Sequence, residues 1–220
     1  MNDPIRHVSD TWFWIAEYRA RETGRPDALF RDPLASVLAA DRGREIADRM
    51  GNAAVMEWMV ALRTHVIDDF IRESVGRGVD TVLNLGAGLD TRPYRLDVPE
   101  TLRWIEVDFP AVISYKTPRL GGEPPNCDLE RIALDLSNVD ERERLFGQIG
   151  SVAKSVLVLT EGVVPYLSNE EVASLAASLL ERRSFRYWVT DDFSRSGLSS
   201  ARMGRRQRKV LRNAPSRFSP

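Results

Sequence analysis

The chain is poor in the residues that most often build metal and redox centres. Its 220 residues include one cysteine, Cys127, and two histidines, His7 and His65. A lone cysteine excludes an intramolecular disulfide and a thiolate metal cluster, and no metal site is expected. Charge of one sign is also missing. Lys plus Arg number 31 against 32 Asp plus Glu, a net charge of -1, so no general basic field exists to hold a nucleic acid or an anionic membrane. No apolar run approaches the roughly 20 residues of a membrane span. The N-terminal MNDPIRHVSDTWF has neither a basic leader nor a continuous apolar stretch, and a cytoplasmic protein is expected. Repeats and low-complexity tracts are absent as well. What remains, at 43% hydrophobic residues, is enough for one domain with a substantial core and too little for a second.

Within that domain the pattern changes once. Residues 11 to 76 read as helices: TWFWIAEYRARE, then FRDPLASVLAADRGREIADRM, then the long amphipathic AAVMEWMVALRTHVIDDFIRESV, closed by Gly76 and Gly78. This predicts a helical cap over 1–76. From 77 to 195 short β-rich runs follow: DTVLNLGAG, LRWIEVDFP, ERIALDLSN, SVLVLTEG and FRYWVTDDF, with helical stretches such as DERERLFGQI and NEEVASLAASLLERR between them. Strands alternating with helices predict an α/β fold with a mostly parallel sheet and helices on both faces. The continuous apolar character of VLNL and VLVL suits buried central strands. Residues 196–220 form a basic segment containing RMGRRQRKVLR; such a charge run is usually a solvated face.

In open parallel sheets ligands bind beyond the carboxyl ends of the strands, which directs attention to the residue after each strand. After the first come Gly86, Ala87 and Gly88, where a tight turn lets backbone approach a ligand. A dinucleotide fingerprint would place a third glycine at 91; this chain has Thr91, with Asp90 and Arg92 beside it. An acid there suits an ammonium or sulfonium better than a diphosphate. The second strand ends in Glu106 and Asp108, at the spacing where a carboxylate accepts from ribose hydroxyls. The third is followed by Asp135-Leu136, a polar and an apolar residue suited to an adenine edge and face. The fourth ends in Glu161-Gly162 and then VPYL.

The blocks FRDPLA, ALRTHVIDDFI, VLNLGAGLDTRPYRL, IEVDFP and TEGVVPYLSNEEV, in this order and spacing, resemble the leucine carboxyl methyltransferase family, whose bacterial branch includes small-molecule O-methyltransferases that use S-adenosylmethionine. The resemblance implies a class I methyltransferase-like (Rossmann-like) sheet under an N-terminal helical cap. It places Arg63 on the methionyl carboxylate of the cofactor, Gly86 to Gly88 beside the methionyl part, and Asp108 on the ribose, with Glu106 as substitute. Asp135 and Leu136 fall at the adenine, Glu161 near the cofactor amino group, and Tyr166 close to the methyl group on the substrate side.

Methyl transfer from a sulfonium asks mainly for alignment and exclusion of water. His65 lies on the helix away from Arg63, so no histidine base is evident; Tyr166, Glu161, Asp191 and Asp192 stay open as bases. A carboxylate acceptor is ionised at neutral pH without help. Methylation of a small-molecule carboxylate or acidic phenol, in natural-product biosynthesis, is therefore the favoured expectation. A cofactor-binding protein without turnover, or methylation at carbon or nitrogen, stays as the alternative. Phe13, Trp14 and Tyr18 are candidate walls of the acceptor pocket, together with the bulky Trp12, Met56, Trp58 and Met59. Against the family pattern the C-terminal strands are missing after FRYWVTDDF, which would leave the fifth strand as an edge. A homodimer burying Phe185 to Phe193 is expected from that.

Overall fold

The computed structural model describes residues 9–50 and 53–191. Five parallel strands form the sheet: β1 (Thr81–Leu85), β2 (Arg103–Asp108), β3 (Asp128–Ala133), β4 (Val156–Thr160) and β5 (Phe185–Thr190), in the order β3-β2-β1-β4-β5. All five expected strands are present. The chain order reverses between β1 and β4, which are paired in parallel from Thr81 with Val156 to Asn84 with Leu159.

Among the described residues seven α-helices accompany the sheet: α1 (Ser9–Thr23), α2 (Ala35–Arg49), α3 (Ala53–Gly76), α4 (Arg92–Arg95), α5 (Pro110–Leu120), α6 (Val139–Val152) and α7 (Asn169–Leu180). Local chemistry sets their ends. Pro110 opens α5, where its missing N–H is no loss. Ser168 and Glu171 form a reciprocal capping box on α7. Alternation along the strands divides the core into two layers. Leu83, Leu85, Ile105, Val107, Val156 and Val158 pack against α6 and α7 through Leu145, Phe146, Ile149, Leu175 and Leu179. Val82, Trp104, Leu157 and Leu159 face the opposite side, against Ile67 and Ile71 of α3.

The last contact refines the expected cap over 1–76. Only the first part of α3 shares the helical cluster with α1 and α2, through Val60 beside Trp14, Tyr18 and Ile46; its second half is a sheet-covering helix. The short α4 and the proline-led α5 were not singled out from the sequence pattern. Phe193, Asp192, His7 and the basic run RMGRRQRKVLR lie outside the described residues. Among the described residues no helix is long and apolar enough to cross a membrane, and no acidic, histidine or cysteine cluster could hold a metal.

Candidate functional site

The turn after β1 is held by its neighbour strand. The N–H groups of Gly86 and Ala87 donate to the Val107 carbonyl, at 2.8 and 3.2 Å. The Gly88 N–H donates to Asp108 Oδ2 at 2.6 Å, while Phe109 N–H donates to Oδ1 at 2.7 Å. Asp108 thus stands at the mouth of β2 against the glycine turn. Burial pushes its carboxyl up to about 6, against the pull of the Gly88 and Phe109 N–H groups and of Lys116.

Glu106, the substitute, is a different residue in structural terms. It is fully buried, accepting from Lys116 Nζ at 2.8 Å and Arg131 Nε at 2.9 Å. Two positions short of the strand end, it is already below the floor of the crevice. Its charge is spent on α5 and β3, so as a ribose acceptor it is corrected to a structural ion-pair residue.

On the β4 side a chain of charges closes the crevice. Arg63 reaches from α3 to Glu161 (Nε to Oε1, 2.9 Å) and Asp191 (Nη1 to Oδ2, 2.6 Å). Arg92, 3% exposed, donates through Nη1 to Glu161 at 2.7 Å and to Asp90 at 2.9 Å, and through Nε to Asp68 at 2.6 Å. Burial disfavours the charge on Glu161, but Arg92 and Arg63 hold its carboxyl below the ordinary value. Asp90 is likewise kept ionised by Arg92 against its burial, and also accepts from Asn84 Nδ2 at 2.9 Å.

The network continues into the cap. Asp68 accepts from Arg95 through Nη1 and Nη2 at 2.5 and 2.9 Å. Asp32, the acid of FRDPLA, accepts from Arg19 Nε at 2.8 Å, Thr91 Oγ1 at 2.6 Å and the Ala35 N–H at 3.1 Å. One carboxylate thereby joins α1, the start of α2 and the turn before α4. Asp32, Asp68, Asp90, Glu161 and Asp191 face Arg19, Arg63, Arg92 and Arg95, an excess of one negative charge.

The remaining candidates fall on either side. Asp135 and Leu136 are half-buried just after β3; Asp135 Oδ1 accepts from the Ser137 N–H at 2.9 Å, and Leu136 packs on the α6–α7 layer. Tyr166 lies in a 3₁₀ turn (Val164–Tyr166) after β4 and is hydrogen-bonded to Thr11 of α1. Burial raises its phenol further, although Thr11 and the Arg63 charge oppose the shift. It therefore stays protonated at neutral pH. Trp14 and Tyr18, expected as pocket walls, are 8% and 1% exposed and packed edge-to-face in the helical core, which corrects that assignment: their rings are consumed by packing. Phe13 is half-buried, edge-on to Tyr115 at 5.1 Å. Trp12 is the aromatic of α1 at the crevice, 3.8 Å from where a Cβ on Gly88 would sit. Trp58 and Met59 lie on the exposed face of α3 with Val55, Leu62 and Val66. His65 is near Asp69 at 3.6 Å, one turn along the helix.

The leucine carboxyl methyltransferase model matches residues 13–180. A relative from Streptomyces avermitilis is 33% identical over 198 residues, covering 81% of this chain and 68% of its own. Another, from Frankia alni, is 33% identical over 193 residues, covering 80% and 66%. Both are provisionally named S-adenosyl-L-methionine-dependent methyltransferases. The chain spans about two thirds of the length of these curated relatives. In fold it is similar to the crystal structure of a DUF574 family protein from Streptomyces avermitilis, with a TM-score of 0.52 at 18% identity over 93% of this chain and 78% of that one. With the glycine turn, the acid after β2 and the charge network at the β1–β4 reversal in place, the match over residues 13–180 identifies the chain as a member of the leucine carboxyl methyltransferase family.

Proposed function

We propose that this protein binds S-adenosylmethionine in the β1–β4 crevice and methylates a small molecule at a carboxylate oxygen or an acidic phenolic oxygen. The donor set fits such a cofactor. Asp108 would take the ribose hydroxyls, Arg63 the carboxylate, Glu161 the ammonium, and Asp135 with Leu136 the adenine. The surplus negative charge of the network favours a ligand carrying a net positive charge. When bound, S-adenosylmethionine supplies a methyl group on a sulfonium already activated for in-line displacement.

The observation that carries the choice of acceptor is that, apart from Asp108, which the ribose would occupy, no described residue considered at the crevice is poised as a base. Tyr166 is held protonated by burial. Glu161 and Asp191 are ionised but tied to Arg63 and Arg92. His65 belongs to the surface of α3. An acceptor that ionises unaided needs only placement, with the Tyr166 hydroxyl as a hydrogen-bond donor and α1 excluding water. Incubation with labelled S-adenosylmethionine and a panel of aromatic acids and phenols, read by mass, should give methyl esters or ethers; products methylated only at carbon or nitrogen would overturn the choice of acceptor.

Asp108 provides a test that needs no acceptor. Ribose hydroxyls donate to the ionised carboxylate, whose group titrates at about 6 in the free protein. Affinity for S-adenosylhomocysteine should therefore rise with pH through this value, with about a tenfold gain between pH 5 and pH 8. The same shift makes the unliganded protein bind a proton more tightly than its unfolded chain, so its stability falls as pH rises from about 4 to about 6. Asp108→Asn should flatten the binding profile; a wild-type affinity independent of pH would remove Asp108 from the ribose.

We also propose a homodimer. Strand β5 ends the sheet among the described residues, and an uncovered edge offers unpaired N–H and C=O groups to a second chain. Light scattering should give twice the monomer mass, and a monodisperse monomer at high concentration would contradict it.

A further inference from the structure

Arg63, the guanidinium proposed to hold the ligand carboxylate, already holds a carboxylate of this chain through Nη1. That carboxylate, Asp191, sits at the end of β5 and is only 18% exposed at its side chain. Its two oxygens have separate duties. Oδ1 accepts from the Gly162 N–H at 2.5 Å, on the turn that follows Glu161. Oδ2 accepts from Arg63 Nη1 at 2.6 Å. Glu161 meets the same guanidinium at Nε. A bidentate grip on a further carboxylate uses two adjacent N–H groups; Nη1 donates to Asp191, and Nε, which makes no hydrogen bond, stands 2.9 Å from Glu161 Oε1, so the Nη1 edge brings that carboxylate against Asp191 and the Nε edge brings it against Glu161. Glu161 is anchored a second time by Arg92 at 2.7 Å. Asp191 has no second cation among the described residues.

We infer that Asp191 is a specificity-determining residue that occupies the ligand-carboxylate position on Arg63 and gives up Nη1, while keeping the Gly162 N–H, when a carboxylate-bearing ligand binds. The inference deepens the cofactor reading above and rests on it. Its consequence is a bias between ligands. A compound with a carboxylate must displace Asp191 and bears that cost, whereas an adenosine thioether without the amino-acid moiety leaves the Asp191–Arg63 pair intact. Removing the Asp191 charge should thus help only the first kind.

The probes are S-adenosylhomocysteine and 5′-methylthioadenosine, which share the adenosine and the thioether and differ in the amino-acid carboxylate and ammonium. Titration calorimetry on wild type and Asp191→Asn is the measurement. The Asn side chain keeps an oxygen for the Gly162 N–H and loses the anion. Affinity for S-adenosylhomocysteine should tighten about tenfold, with that for 5′-methylthioadenosine unchanged within twofold. Asp191→Thr, neutral and also able to accept from Gly162, repeats the comparison if the Asn variant does not fold. Weaker binding of S-adenosylhomocysteine, or an equal change for both compounds, would overturn the inference, since Asp191 would then merely hold Arg63 or the turn in place. Wild-type protein that binds neither compound would overturn the cofactor reading and this one with it. If Arg63→Ala weakened S-adenosylhomocysteine no more than 5′-methylthioadenosine, the carboxylate would be seated elsewhere and Asp191 would have nothing to compete with.

Discussion

Asp68→Ala should lower folding stability by about 3–5 kcal/mol, the range for breaking a buried ion pair by removing one partner. Asp68 has no exposed surface and accepts from two guanidiniums, Arg92 at 2.6 Å and Arg95 at 2.5 and 2.9 Å. Without it Arg95 keeps Asp32 only at 3.8 Å, and Arg92 keeps Asp90 and Glu161. The network would fall from five acids to four against its four arginines, and Arg95 would lose both of its short contacts. Water cannot readily screen the two cations, because the side chains of Arg92 and Arg95 are only 3% and 6% exposed. Asp68→Asn should lose less, since its carbonyl oxygen can still accept from one partner. Urea unfolding of the three proteins at neutral pH decides; a loss below about 1 kcal/mol for the Ala variant would mean that neighbouring acids take over both arginines.

Gly86→Ala should be the most damaging single-methyl change in the crevice, and Gly162→Ala is its control. Both glycines have positive φ, +67° and +69°, so an added Cβ strains the backbone equally, at about 1–2 kcal/mol. They differ in what the methyl meets. At Gly86 it would come within 2.4 Å of Val163 Cγ2, whereas at Gly162 nothing lies within 4 Å. Val163 is 9% exposed and follows the Glu161-Gly162 turn, so it has little room to yield. Overpacking adds about 1–3 kcal/mol at Gly86, and nucleoside affinity should fall as well. Thermal melts and calorimetry on the pair separate strain from collision. Equal losses at both positions would show that Val163 swings aside freely.

These two glycines mark how far the sequence could be read. A glycine after an apolar run signals a turn, and the five strands, their parallel arrangement and the acids at their ends follow from period and position alone. Burial depth does not. Glu106 and Asp108 are indistinguishable by spacing, sharing one face of β2, yet one lies under α5 with Lys116 and the other at the crevice mouth; only the placement of α5 and β3 separates them. Trp14 and Trp12 are two residues apart on α1 and both bulky and apolar, so the sequence pattern offered both as pocket walls and could not tell that Trp14 is buried in the helical core. Nothing in the spacing pairs Arg92 with Asp68, because that contact depends on bringing α3 beside the turn after β1. Asp32 hid in a motif that carries the resemblance without disclosing its cause, which is the junction of α1, α2 and α4.

The strand order also governs when the crevice can come into being. Strands β1, β2 and β3 assemble outward from β1 with one helix-bearing crossover between each neighbouring pair, so their contacts are comparatively local. Strand β4 must instead return to the free side of β1, closing a loop from Thr81 to Val156, and such distant pairings are late and slow because chain entropy opposes them. Until β4 docks, the glycine turn has Asp108 on one flank and nothing opposite; Glu161 and Asp191 arrive only afterwards. A ligand that needs both flanks cannot assist the early steps. Such a ligand is expected to bind after the slow step and to leave before the first breach of the β1–β4 seam, so its grip should lengthen the lifetime of the folded molecule and leave the time needed to fold unchanged.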